Sequence, residues 1–93
     1  MELKLSEKTI EAEIISIIAD VSGFDPEEIK PESKLADDLE IDSIKAIEIV
    51  VALEKKYKIS VRDDDVPKIT TVQETTELVS RLLQQENITH VRS

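Results

Sequence analysis

Residues 38–57 read Asp38-Leu39-Glu40-Ile41-Asp42-Ser43-Ile44-Lys45-Ala46-Ile47-Glu48-Ile49-Val50-Val51-Ala52-Leu53-Glu54-Lys55-Lys56-Tyr57. From Ser43 onward the apolar side chains recur at helical spacing. Ile44, Ile47 and Val51 share one stripe with Glu54, while Ile49, Val50 and Leu53 face elsewhere. The run Ile49-Val50-Val51 alone would also suit a strand, because β-branched residues pack well on extended backbone. The length of the pattern and its flanking Glu and Lys decide for a helix over 43–57. Asp42 and Ser43 stand at its start, and both are residue types that cap helices.

Working outward, residues 23–42 form a long connection with apolar anchors at Leu39 and Ile41. Asp25-Pro26-Glu27-Glu28 reads as one helical turn with Pro at its first position, and Pro31 then interrupts it. A connection this long in so small a chain is often functional. Upstream, Ile10, Ile14, Ile17, Ile18 and Val21 predict a helix over about 6–21, with Ser6 as N-cap and Gly23 as stop. Downstream, 58–65 is a polar loop ending in Asp63-Asp64-Asp65, and Val66 to Ile69 fit a short helical turn starting near Pro67. Thr71-Val72-Gln73-Glu74 matches a capping box. Val72, Leu78, Val79, Leu82 and Leu83 then predict a last helix ending near Glu86, with 87–93 a frayed tail. The expected fold is all-α. It is a small four-helix bundle with a long loop between helices 1 and 2 and a short third helix, in one domain spanning 1–93.

Composition narrows the function. The chain has 93 residues, enough for one modest core, and that core must be aliphatic because there is one Phe, one Tyr and no Trp. Lys and Arg total 12 against 21 Asp and Glu, a formal charge of -9. So acidic a chain repels nucleic acid and anionic membranes and favours partners with basic patches. With no cysteine there is no disulfide, thiolate nucleophile or thiolate metal site. The one histidine, His90, lies in the polar tail. No metal site is expected, since Asp63-Asp64-Asp65 lacks calcium-loop spacing and its glycine. Asn87-Ile88-Thr89 matches a glycosylation sequon, but no secretory leader or membrane-spanning run accompanies it. A cytoplasmic monomer without catalytic machinery of its own is the expectation.

Ser43 by position alone is a helix cap. Nothing near it can activate it as a hydrolytic nucleophile, so if it reacts, another protein must supply the catalysis. The stretch from Leu35 to Val61, with its Asp42-Ser43-Ile44 triplet and following helix, resembles the acyl carrier proteins. So does Lys68-Ile69-Thr70-Thr71-Val72, which lies in register downstream without a gap. The resemblance covers about residues 6–86.

The resemblance implies that a phosphopantetheinyl transferase moves 4′-phosphopantetheine from coenzyme A onto Ser43, and that the distal thiol holds acyl groups as thioesters. Such an arm supplies the thiol that a cysteine-free chain lacks. Asp42 either caps the helix or marks the site for the transferase, and both roles are compatible. Ile44, Ile47 and Val51, with Lys45, Glu48 and Glu54, become a partner-binding face, unless the apolar three are plain core. Ile49, Leu53, Val61, Val66 and Ile69 become the lining of an acyl pocket, a role compatible with ordinary core. Acyl-loading and acyl-processing enzymes are the implied partners, in fatty acid, polyketide or other lipid-related biosynthesis. The competing expectation is an acidic helical interaction module that keeps the fold and is never modified.

Three departures from the family pattern stand out. Glu40 occupies a position where the family usually has Gly, which suggests that the loop entering Ser43 differs in shape. Ile44 replaces Leu. Acids outnumber bases eight to two in residues 23–42, yet residues 43–57 carry Glu48 and Glu54 against Lys45, Lys55 and Lys56. The family generally has an acidic helix there, so dedicated partners are expected.

Overall fold

In the computed structural model, backbone is described for residues 6–92 and side chains for 6–84. Three α-helices, α1 (Glu7–Ser22), α2 (Ser43–Tyr57) and α3 (Val72–Arg92), are joined by segments carrying short 3-10 turns at Pro26–Glu28 and Val66–Lys68. No strand occurs among the described residues; an isolated bridge pairs Lys34 with Thr71. The expected short third helix is thus a single 3-10 turn, and the α-helices among the described residues number three. Pro67 in its middle offers no N–H, and Ile69 after it leaves helical geometry with φ -88° and ψ 85°. The last helix does not stop near Glu86. No Gly or Pro interrupts residues 87–92, so helical backbone continues through the expected frayed tail to Arg92. The side chains of the sequon and of His90 lie outside the described residues.

Local chemistry sets the helix ends. Ser6 caps α1 by accepting from the Thr9 N–H at 3.1 Å. Gly23 ends it in the left-handed conformation at φ 86°, with its N–H on the Ala19 carbonyl. Thr71 and Glu74 form the anticipated capping box: Thr71 Oγ1 accepts from the Glu74 N–H at 3.1 Å, and Glu74 Oε1 from the Thr71 N–H at 3.3 Å. One terminator was not signalled. Lys58 ends α2 at φ 56°, a conformation that costs a side-chain-bearing residue free energy.

The core lies where α1 packs on α2 and α3. Ile10, Ile14 and Ile18 meet Ile49, Leu53 and Tyr57 from α2, and Val72, Leu78, Val79 and Leu82 from α3. Thr75 and Thr76 are buried with them, and each hydroxyl donates to a carbonyl one turn back, of Thr71 and Val72. Their polar groups are thereby satisfied without cross-helix partners. The long connection is also held down. Ile29, Leu35, Leu39 and Ile41 are buried in the same core. Its carbonyls at Pro31 and Ser33 accept from the Gln73 and Val72 N–H groups, so the loop takes up amides that the first turn of α3 cannot satisfy itself. The Leu35 N–H donates back to the Thr70 carbonyl at 2.9 Å. These ties fix the direction from which the chain enters α2.

Candidate functional site

The approach to α2 is built by backbone and one aspartate. Asp38 Oδ2 accepts from the Lys34 N–H at 2.8 Å, and the Asp38 and Leu39 N–H groups return to the Lys34 carbonyl. Glu40 follows with φ 56°. Glu40 therefore holds the left-handed turn that glycine would favour, at the cost of local strain. The Ile41 N–H then donates to the Leu35 carbonyl, and Asp42 is reached in extended conformation.

Asp42 is the N-cap of α2: its Oδ1 accepts from the Lys45 N–H at 2.9 Å, and its carbonyl from the Ala46 N–H. Ser43 is the first residue of the helix and is exposed. Its Oγ therefore sits beside first-turn amides that have no intrahelical acceptor. An anion there is favoured by the helix dipole by about 0.3–1 kcal/mol. No histidine or cysteine faces it among the described residues. The geometry suits a hydroxyl that is modified by another protein and then carries an anionic link.

Ser43 also stands on the rim of an open cavity of about 450 Å³ between the loop, α2 and the Val66–Lys68 turn. Its apolar wall comes from Leu35, Ile41, Ala46, Ile49, Val50 and Ile69, with Val66 at one side. Of the five residues expected in an acyl pocket, Ile49, Val66 and Ile69 are brought together here. Leu53 and Val61 do not line it. Leu53 is fully enclosed by the helix core, and Val61 packs at the core's edge with its N–H held by Glu54 Oε2 at 2.8 Å. Ala46 and Val50 were not singled out from the sequence. The signal was the helical repeat, since 46 and 50 follow 42 at intervals of four and so share its face.

The apolar stripe of α2 resolves just as clearly. Ile44 is 69% exposed, Ile47 61% and Val51 42%, so the core alternative for these three is excluded. Val66, 40% exposed, is a fourth large apolar side chain at the surface. Glu48 is exposed and Lys45 half-buried on the same helix. Glu54 is turned to the 58–65 loop by its bond to Val61 and is the one expected face residue with a structural task.

The family described as phosphopantetheine attachment site matches residues 12–79. A meromycolate extension acyl carrier protein of Mycobacterium tuberculosis is 36% identical over 85 residues, covering 91% of this chain and 73% of the relative. The same-named protein of Mycolicibacterium aurum is 37% identical over 82 residues, 88% of this chain and 84% of the relative. An acyl carrier protein of Chlorobium phaeobacteroides is 35% identical over 75 residues, 81% of this chain and 96% of the relative. The chain belongs to the phosphopantetheine attachment family and, within it, to the acyl carrier proteins. It is a carrier and not a catalyst: its cofactor is 4′-phosphopantetheine, which when bound supplies the thiol that holds acyl groups. Its partners accordingly include a phosphopantetheinyl transferase and acyl-processing enzymes.

Proposed function

We propose that Ser43 Oγ is the attachment point of the arm, and that residues 1–93 act as one carrier domain for fatty acyl groups in lipid biosynthesis. The observation that carries the reading is the placement of an exposed serine at the first position of a capped helix, on the rim of an aliphatic cavity. The residues fit the group. The serine hydroxyl is open to a transferase, first-turn amides lie beside it for a phosphodiester, and a lined cavity adjoins it. Asp42 contributes by fixing the helix start, which holds Ser43 in one orientation, and its carboxylate is within reach of an approaching transferase. The wall formed by Ala46, Ile49, Val50 and Ile69 would shelter the apolar part of a cargo from water, while Ile44, Ile47 and Val51 remain outside to meet enzymes. The relatives named for meromycolate extension support a lipid cargo. A monomer in the cytoplasm, neither bound to nucleic acid nor inserted in membrane, is consistent with the charge of -9 and with no described helix being long and apolar enough to cross a membrane.

The test is intact mass after incubation with coenzyme A, magnesium and a broad-specificity pantetheinyl transferase. A single gain that disappears in Ser43→Ala is expected. No gain with several such transferases would refute the reading in favour of an unmodified interaction module.

A further inference from the structure

The apolar ridge of α2 is framed by the wrong charges for the rest of the molecule. The chain as a whole carries -9, and residues 23–42 hold eight acids against two bases. On α2, by contrast, Lys45, Lys55 and Lys56 face Glu48 and Glu54. Glu54 is committed to the Val61 N–H, and Lys56 Nζ lies 6.0 Å from the centroid of the Tyr57 ring. Lys45 and Lys55 are left as cations of the ridge, with Glu48 between them. Lys55 falls three helical turns after Ile44, hence in the same stripe, and Lys45 lies beside Ile44. Among the described residues the ion pair present is Lys68 with Asp65, at 3.8 Å, and it uses neither of these lysines.

Charge around an apolar contact decides which partners approach and in which orientation, more than how tightly they hold. A rim of basic residues closing around Ile44, Ile47 and Val51 would set like charges against Lys45 and Lys55. A rim of carboxylates would pair with them.

We infer that the ridge docks into an apolar groove of an acyl-processing enzyme whose rim bears carboxylates opposite Lys45 and Lys55, while basic residues of the same enzyme meet the acidic 23–42 segment. The partner surface is therefore bipolar, and the two signs fix the direction in which Ser43 is presented. This rests on Ser43 being the attachment point.

The experiment uses the full chain in its pantetheinylated form, confirmed by mass. Each acyl-loading and condensing enzyme of the source genome is purified singly and titrated with wild type, with Lys45→Glu/Lys55→Glu, and with Glu77→Lys on the exposed side of α3 as a control. At least one enzyme is expected to lose about tenfold or more in affinity for the double variant and little for the control. Replacing a rim carboxylate of that enzyme by Lys should restore binding of the double variant and weaken that of wild type. The inference is overturned if every enzyme binds the double variant as well as or better than wild type, or if none binds the chain at all. Failure of the modification itself would be visible earlier, in the mass, and would overturn the Ser43 reading instead.

Discussion

At the scale of single residues, Asp42 and Glu40 do opposite things to the same short stretch. Asp42 satisfies the Lys45 N–H and starts α2 one residue before the serine. Asp42→Ala should lower stability by about 1 kcal/mol, the usual worth of a carboxylate N-cap, read as a shift in denaturant midpoint at unchanged slope. An unchanged midpoint would show that the helix start is set by other ties. Glu40 holds φ 56°. Releasing that strain with Glu40→Gly should raise stability by about 0.5–1 kcal/mol, the left-handed penalty less the extra freedom glycine gives the unfolded chain. A loss instead would mean that the Glu40 side chain does more than occupy a strained position. The cap was legible in the sequence, because Asp before a helical pattern has one dominant use. The strain was not. Sequence identifies the missing glycine but does not say whether the loop re-routes or pays, and here the bonds from Lys34 to Asp38 and Leu39 hold the path.

At the scale of elements, helix starts were read more truly than helix ends. Ser6, Asp42 and Thr71 each carry an oxygen that bonds an amide three residues on, so their meaning is local. The turn at Val66–Lys68 and the run of α3 to Arg92 depend on the absence or presence of a single ring, Pro67, and on weak propensities thereafter. The division of α2 into a buried face and an exposed ridge was visible as periodicity, but which apolar stripe faced inward was not. Stripes of Ile and Val look alike until α1 is packed against one of them. Tyr57 closes the buried face: its hydroxyl donates to Glu13 on α1. Burial, that hydrogen bond and the nearby Glu13 charge together raise its pKa well above the ordinary 10.0. The folded state thus prefers the protonated phenol. Its contribution is complete below about pH 10 and is lost as pH rises from there toward the folded value. Tyr57→Phe should be less stable than wild type at pH 8 by roughly 0.5–1.5 kcal/mol, and the gap should shrink as pH rises above 10. Denaturation curves that keep a constant gap across that range would contradict this.

At the scale of the whole molecule, the charge pattern matters more than the total. Acids gather before Ser43 while α2 carries three lysines against two glutamates, so standard fatty-acid synthesis enzymes with basic docking patches should turn over this carrier poorly. Lys45→Glu, Lys55→Glu and Lys56→Glu combined should raise kcat/KM with such enzymes by about tenfold or more. Normal turnover with wild type, undiminished and unimproved by the triple change, would refute the expectation of dedicated partners. The cavity beside Ser43 belongs to this scale as well. It is made by three separate segments, 34–37, 41–50 and 66–71, which is why Ile49 and Ile69 could be nominated from the sequence while Leu35 and Ile41, on the loop, emerged only from the packing.

The carrier role leans on one bond, that between Ser43 Oγ and the arm. Fragment mapping of the pantetheinylated chain tests it most directly, because Ser6, Ser16, Ser22, Ser33, Ser60, Ser80 and Ser93 are present as internal alternatives. The added mass should fall on Ser43 alone, in a single copy. A label on any other serine, or spread over several, would contradict the assignment of α2's first residue as the carrier's attachment point.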